Sequence, residues 1–140
     1  MITLEQYVGM WKDSTDWTIE RTANAVQLLA KCALLESIAR ADGVEFPDNQ
    51  KTGTGISGER FGGFRPQACK EGAPDSAHKQ GRAVDRYDPE GKIDFWCMRN
   101  AEVGGTLEQC GIYIEHPSAT MGWSHWTDRP PPSKRRVFYP

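Results

Sequence analysis

A glycine-rich stretch in the middle of the chain limits what this sequence can fold into. Residues 46–72 read FPDNQKTGTGISGERFGGFRPQACKEG and keep neither the 3.6-residue period of a helix nor the two-residue period of a strand. The regular elements must therefore lie on either side of this segment. We expect it to be an ordered loop, and such loops often carry functional residues.

The residues before the loop predict two helices. Thr3 and Gln6 have the spacing of a capping box, which indicates a short helix over residues 4–12. Asp16 is a candidate N-cap for a longer helix over residues 17–41. One apolar stripe of this helix recurs at helical spacing and is expected to face the core; its members are Ile19, Val26, Ala30, Ala33, Leu34 and Ile38.

The residues after the loop predict short strands. Strand patterns occur at 81–87, 111–115 and 122–126, and residues 93–98 indicate a short helix between the first two. The tail over 129–140 contains three consecutive prolines and is expected to be an extended arm. Helices followed by a small, mostly antiparallel sheet predict an α+β fold.

Length and charge exclude several functional classes. The 140 residues suffice for one core and are too few for two, so we expect a single domain over 1–140, with a helical part at 1–45. The net charge of −2 gives no strong attraction to nucleic acid or to an anionic membrane. We expect no signal peptide and no membrane span, because no apolar run approaches roughly 18 residues. The protein would then be made in the cytoplasm of the cell that expresses it.

Three other motifs carry less weight. Residues 53–58 match G-x-G-x-x-G, but no buried strand precedes them and no amphipathic helix follows, so the dinucleotide-binding context is missing. The basic triplet at 134–136 is expected to be part of a solvated arm rather than a site for a phosphate or an acidic partner. The four cysteines contain no C-x-x-C motif, so we expect reduced thiols rather than disulfides or a four-cysteine zinc site.

Two histidines and an aspartate form the candidate site with the strongest chemistry. On a strand, the two-residue period places Gly81, Ala83 and Asp85 on one face, so the Asp85 carboxylate lies beside small residues that leave room for a metal ion. His78 precedes this strand, and His125 lies on a later one. Two imidazoles and one carboxylate can hold a catalytic zinc and leave its fourth position to water. The alternative is that each histidine is an ordinary surface or core residue.

The same residues form a recognisable signature. SAHKQGRAVD at 76–85, followed by WSH at 123–125, resembles the S-x-H-x-x-G-x-A-x-D…W-x-H signature of the zinc D-Ala-D-Ala peptidases, and GGFRP at 62–66 resembles a further segment of that family. The resemblance covers residues 46–140 and is strongest to the phage-encoded branch. It implies an α+β fold shared with the Hedgehog signalling domain, in which N-terminal helices pack on a small sheet that carries zinc.

The resemblance also implies roles for individual residues. Carried over by position, it implies Zn²⁺ held by His78, Asp85 and His125, with Arg65 near the substrate carbonyl or carboxylate. The implied substrate is the stem peptide of peptidoglycan, cleaved by a D-Ala-D-Ala carboxypeptidase or an L-Ala-D-Glu endopeptidase. A phage protein of this kind would be released at lysis or carried in the virion, with other virion proteins as partners.

One position departs from the family pattern. The general-base Glu or Asp usually lies three residues before the last zinc histidine, where this chain has Gly122. We expect Glu115 to be the base instead, because the turn that follows it can return the chain toward His125. His116 is the alternative base, although an exposed turn histidine is the simpler interpretation.

Three rival interpretations stay open at this stage. The chain could be a non-catalytic structural virion protein that keeps the peptidase fold, an interpretation that Gly122 favours. Zinc could instead be purely structural, which would require a fourth protein ligand such as His116 or Cys69. Arg65 could anchor the glycine-rich loop to an acid such as Glu59 or Asp75 rather than contact substrate.

Overall fold

A small sheet and one long helix organise the fold in the computed structural model, which describes residues 1–140. The helices and strands in chain order are α1 (Leu4–Val8), α2 (Ile19–Ala41), β1 (Ala83–Tyr87), α3 (Lys92–Arg99), α4 (Thr106–Cys110), β2 (Tyr113–Glu115), β3 (Trp123–Thr127) and β4 (Val137–Phe138). Short 3₁₀ turns lie at Gly9–Trp11, Ala77–Gln80 and Pro117–Ala119. The α+β class predicted from the sequence is confirmed.

Local capping starts both N-terminal helices. The Thr3 hydroxyl accepts the Gln6 N–H and the Gln6 side chain accepts the Thr3 N–H, so the predicted capping box is present. Thr18, rather than Asp16, caps α2, which therefore begins later than predicted. The Asp16 carboxylate instead accepts the backbone N–H of Gln67 and ties the glycine-rich loop to the start of the helix.

The buried face of α2 differs from the predicted one. Ile19, Val26 and Leu34 expose 91%, 52% and 53% of their surface, so the predicted core stripe is wrong at these residues, whereas Ile38 is partly buried against the core. Apolar residues surround much of this helix, and its periodicity therefore does not single out one face. Packing against the sheet selects the face that carries Glu36, the partner of a buried arginine. The residues buried on that face are Ala25, Leu28, Cys32, Leu35, Glu36 and Ala39.

The four strands form a mixed sheet in the order β1–β3–β2–β4. β1 and β2 each run antiparallel to β3, whereas β4 pairs parallel with β2. The prediction of a mostly antiparallel sheet holds for two of the three pairings, and the C-terminal arm adds the fourth strand. α4 was not predicted, because its five residues are too few to show a helical period.

One row of side chains crosses the outer face of all four strands. Asp85 pairs with His125 across β1 and β3, and Glu115 pairs with Phe138 across β2 and β4. Extending the β2–β3 register by one residue beyond the pair of Ile114 and Trp126 places Glu115 opposite His125. All four residues border one cavity. The alternate residues of the inner strands are fully buried on the other face of the sheet, among them Val84, Ile114 and Trp126.

The glycine-rich loop is ordered along the outer edge of β1. The Ser57 N–H donates to the Asp85 carbonyl, and the Asp85 N–H donates to the Gly62 carbonyl. A Cβ atom at Gly62 would lie 2.1 Å from the Ser57 carbonyl oxygen, and one at Gly63 would lie 2.1 Å from the Tyr7 carbonyl oxygen. The loop therefore covers the sheet edge and needs glycine at these two positions.

The core lies between the inner face of the sheet and the helices, and it contains 19 buried apolar residues. The four cysteines are unpaired, and three of them are buried. No helix combines the length and the apolar character needed to cross a membrane.

Candidate metal centre

His78, Asp85 and His125 converge at the floor of a cavity. Asp85 Oδ1 lies 2.8 Å from His125 Nδ1 and 3.2 Å from His78 Nε2, and the three ligand atoms all lie within 4.8 Å of one another. Ligands of a tetrahedral zinc ion with bonds of 2.0–2.1 Å are separated by about 3.3 Å. All three side chains are buried. The cluster therefore has the composition and the spacing of a preformed metal site.

The backbone fixes which nitrogen of His78 faces the cluster. His78 Nδ1 lies 2.8 Å from the Gly63 carbonyl oxygen, which can only accept a hydrogen bond. Nδ1 therefore carries the proton, and Nε2 is free to act as a ligand. The turn that carries His78 ends at Gly81, which has a φ of 73°; a Cβ there would lie 2.6 Å from the Arg21 carbonyl oxygen. Gly81 is thus required for close packing on α2.

Arg65 binds the aspartate of the cluster. Its Nη2 donates to Asp85 Oδ2 at 3.0 Å, and its Nε donates to the Phe61 carbonyl. The anchoring partners named from the sequence, Glu59 and Asp75, are therefore wrong: the arginine joins the glycine-rich loop to Asp85 instead. Arg65 also lines the cavity, so its contact with a substrate stays a prediction.

The surroundings of the cluster determine its protonation. Burial raises the pKa of Asp85, but the two imidazoles outweigh this effect and hold that pKa well below its usual range. Burial lowers the pKa of His78. Burial also acts to lower the pKa of His125, but its hydrogen bond to Asp85 and the charges of Asp85 and Glu115 raise that pKa overall. The cluster is therefore anionic at Asp85, and a cation that binds there displaces any proton on His125.

A cavity of about 680 Å³ opens over the cluster. Glu115, the predicted base, lines it opposite His125 and is partly exposed. Phe138 and Tyr139 of the C-terminal arm form another part of its wall. A larger groove of about 990 Å³ lies between the end of α2 and α3, but no histidine or cysteine lines it. Size alone therefore does not mark the candidate site.

No fourth protein ligand joins the three. His116 Nδ1 is 2.8 Å from Ser118 Oγ, and its ring stacks on Tyr139 with 4.6 Å between centroids. Neither His116 nor Cys69 belongs to the cluster of ligand atoms. The interpretation of a closed structural site completed by either residue is therefore wrong, because the side of the cluster away from the protein faces the cavity.

The backbone accounts for the glycine at the position where the family has an acid. Gly122 has a φ of 90°, a conformation that is strained for residues with a side chain. Its carbonyl accepts the Asp88 N–H, which holds the turn before β3 against the start of α3. Asp88 itself stabilises the start of α3, because its carboxylate accepts the N–H groups of Ile93 and Asp94.

Two charged residues of the cavity lining, Glu71 and Arg129, are not predicted from the sequence. Arg129 belongs to the segment expected to be an extended arm, whereas the structure places it in the cavity lining. The signal that could have found it is the two-residue period of β3, which runs from His125 through Thr127 to Arg129.

Comparison with known proteins gives no assignment: no protein-family model, no curated protein and no solved structure matches the chain. What the geometry itself establishes is a buried group, formed by His78, Asp85 and His125, that could hold a metal ion.

Proposed function

We propose that this protein is a zinc-dependent peptidase that hydrolyses an amide bond next to a D-amino acid in the peptidoglycan stem peptide. The observation that carries the proposal is the preformed group of His78, Asp85 and His125 beneath an open cavity. Three protein ligands with a free position are typical of catalytic zinc. The substrate class and the Hedgehog/D-Ala-D-Ala peptidase fold come from the resemblance of residues 76–85 and 123–125 to that family.

The donor set supports zinc as the metal. Two imidazole nitrogens and one carboxylate oxygen suit Zn²⁺ better than Mg²⁺ or Ca²⁺, which prefer oxygen ligands. When bound, zinc would supply a Lewis acid for the scissile carbonyl and would lower the pKa of a bound water to about 7. Arg65 would hold the second oxygen of Asp85 and so keep the first directed at the imidazoles.

Glu115 is the proposed general base. It lies across the strand pair from His125 and faces the cavity. A carboxylate in this position can take a proton from the attacking water and return it to the leaving amine. It would perform the task of the acid that Gly122 replaces.

A structural virion protein that keeps the fold is the second candidate, and Gly122 favours it because this glycine removes the acid from its usual place. The two candidates differ in whether the zinc-loaded protein turns over a substrate. For the enzyme, the biological setting that we propose is phage-directed lysis or cell-wall opening by the virion.

The test is hydrolysis by the zinc-loaded protein. Muropeptides are incubated with wild type and with Glu115→Gln, and the products are analysed by mass spectrometry. We expect shortened stem peptides from wild type and a rate lower by about 10²-fold or more in the variant, because an amide cannot accept the proton. Both proteins should contain zinc by elemental analysis.

Glu108→Gln on α4 is the control, since Glu108 is exposed and does not line the cavity. Unchanged turnover in Glu115→Gln would exclude Glu115 as the base. Zinc-loaded wild type that leaves every stem peptide intact would favour the structural virion protein.

A further inference from the structure

The cavity contains a second arginine that the metal cluster does not use. Arg129 lies two residues beyond Thr127, the last residue of β3, and lines the same cavity as His125. Its backbone N–H donates to Thr127 Oγ1, and its Nη1 donates to the backbone carbonyl of Asp75, which lies just before the 3₁₀ turn at Ala77–Gln80. These two contacts fix the position of the guanidinium at the cavity.

The two arginines of the cavity differ in their partners. Arg65 is 12% exposed and donates to Asp85 and to the Phe61 carbonyl, so its charge is already matched by a carboxylate. Arg129 has a backbone carbonyl as its side-chain partner and forms no salt bridge. It is therefore the cavity cation whose charge is unmatched.

The neighbouring residue shows that this difference is local. Asp128 binds Lys31 at 2.9 Å and Arg82 at 2.8 Å, so the acid next to Arg129 in sequence is already used by two other cations. The Asp128 side chain is 1% exposed. It therefore cannot neutralise Arg129 without giving up both of these bonds.

We propose that Arg129 is a specificity-determining residue that binds a carboxylate of the peptide substrate; this inference rests on the proposed function. A guanidinium has five N–H donors, and the bond to Asp75 uses one of them. The remaining donors can bind a carboxylate through two parallel hydrogen bonds. In a stem peptide the carboxylate is either the C-terminal one or the free α-carboxylate of a D-Glu residue.

Carboxylates elsewhere around the cavity would orient such a substrate. Glu71 is an exposed acid of the lining, and Glu115 faces the cavity from β2. A substrate carboxylate placed near either of these two would be repelled. Attraction at Arg129 and repulsion elsewhere together favour one orientation of the peptide.

Two matched peptide pairs test the proposal. The first is acetyl-L-Lys-D-Ala-D-Ala and its C-terminal amide; the second is L-Ala-γ-D-Glu-L-Lys with the D-Glu α-carboxyl free or amidated. Dissociation constants are measured by calorimetry on zinc-loaded Glu115→Gln protein, and kcat/KM is measured on zinc-loaded wild type. In one pair we expect the acid to bind about tenfold or more tightly than the amide, and the pair that discriminates identifies the carboxylate.

Arg129→Gln should remove this preference. The variant should bind the acid peptide more weakly than wild type does, whereas its dissociation constant for the amide should change by no more than about twofold. Arg99→Gln is the control, because Arg99 is an exposed, unpaired arginine that lines the other groove. Equal binding of acid and amide in both pairs by the protein with Arg129 intact would overturn the proposal, and so would a preference that survives in Arg129→Gln. The first of these comparisons needs no Arg129 variant, so it can overturn the proposal even if that variant does not fold.

The outcomes also separate this inference from the proposed function. Discrimination that is lost in Arg129→Gln, without hydrolysis by wild type, would support carboxylate binding by Arg129 and contradict the peptidase. Hydrolysis without discrimination would support the peptidase and overturn the role of Arg129.

Discussion

Two adjacent residues of β1 show two different uses of a buried charge. Asp85 and Arg86 point to opposite faces of the sheet, and both are buried. Asp85 contacts two imidazoles below an open cavity. Arg86 pairs with Glu36 at 2.9 Å inside the core.

The cluster around Arg86 surrounds one carboxylate with cations. Glu36 accepts a hydrogen bond from Arg40 at 2.8 Å and lies 3.5 Å from the amino group of Met1, so with Arg86 it has three cationic partners. The Arg86 guanidinium lies 5.1 Å from the centroid of Phe46 and 5.5 Å from that of Trp126. These rings shield the pair from water and add a cation–π attraction. The cluster can stabilise the fold, but the cations that surround its carboxylate have no lone pair for a metal ion, and neither Glu36 nor Arg86 lines the cavity.

The cluster around Asp85 differs in the chemistry of its partners. One oxygen of Asp85 binds Arg65, and the other is shared by His78 and His125. A neutral imidazole has a lone pair that can bind a metal, whereas a guanidinium has none. The comparison shows that burial of a charge does not by itself indicate a metal centre. The partners of the charge, and their access to a cavity, do.

The largest expected effect is the loss of bound metal when Asp85 is removed from the cluster of His78, Asp85 and His125. Wild type should hold about one zinc ion per chain, and Asp85→Ala should lose it, because two imidazoles alone compete poorly with water. Elemental analysis after dialysis measures this, and Asp94→Asn is the control, since Asp94 is buried but outside the cluster. Stoichiometric zinc in Asp85→Ala would contradict the ligand assignment and remove the distinction between the two clusters.

For the buried pair of Arg86 and Glu36, the expected effect is on the stability of the fold. Arg86→Met should lower the free energy of unfolding by about 3–5 kcal/mol, because it leaves Glu36 buried with fewer cationic partners. Arg40→Met, which affects the same carboxylate through a side chain that is 49% exposed, should cost about 1 kcal/mol or less. Urea unfolding measures both variants. An equal cost for the two would show that burial of the Arg86 pair contributes little.

Arg65 forms with Asp85, in the candidate metal centre, the same type of arginine–carboxylate pair that Arg86 forms with Glu36 in the core. Arg65→Lys should fold normally and bind zinc about 10–100-fold more weakly, since an ammonium cannot bridge Asp85 and the Phe61 carbonyl as a guanidinium does. Competition with a chelator gives the affinity, and thermal unfolding gives Tm. A large fall in Tm with unchanged zinc affinity would show that Arg65 only anchors the loop.

The smallest expected effect concerns Asp94, a buried carboxyl that forms no ion pair. Burial raises the pKa of Asp94 from 3.8 to about 6. Its Oδ2 accepts from Thr120, and its Oδ1 has no hydrogen-bond partner. Between about pH 4 and 6 the folded state therefore binds more protons than the unfolded state, so stability should fall as the pH rises through this window.

Asp94→Asn should remove that decline and unfold at a higher Tm than wild type at pH 7. Asp13→Asn, a change at an exposed aspartate, should leave the wild-type pH profile unchanged. Melting curves recorded between pH 4 and 8 measure both. The same slope in Asp94→Asn as in wild type would assign the decline to another group.

Features that depend on neighbouring residues could be predicted from the sequence. The capping box of Thr3 and Gln6 is confirmed because both of its hydrogen bonds span three residues. The placement of Asp85 and His125 on strands follows from a two-residue alternation that the sequence displays. The small residues beside Asp85 indicated room for a metal ion along one short segment, and the resemblance of residues 76–85 and 123–125 to the peptidase signature implied the ligand set.

Features that depend on residues far apart in the chain follow from packing and strand pairing. The tertiary structure selected the face of α2 that carries Glu36, because the helix pattern alone allowed more than one apolar face. It paired Arg65 with Asp85 rather than with a nearer acid, and it brought Arg129 to the cavity. Strand register aligned Glu115 with the ligand histidine. Register and packing depend on complementarity between distant segments, and a local pattern contains no information about which segments will meet.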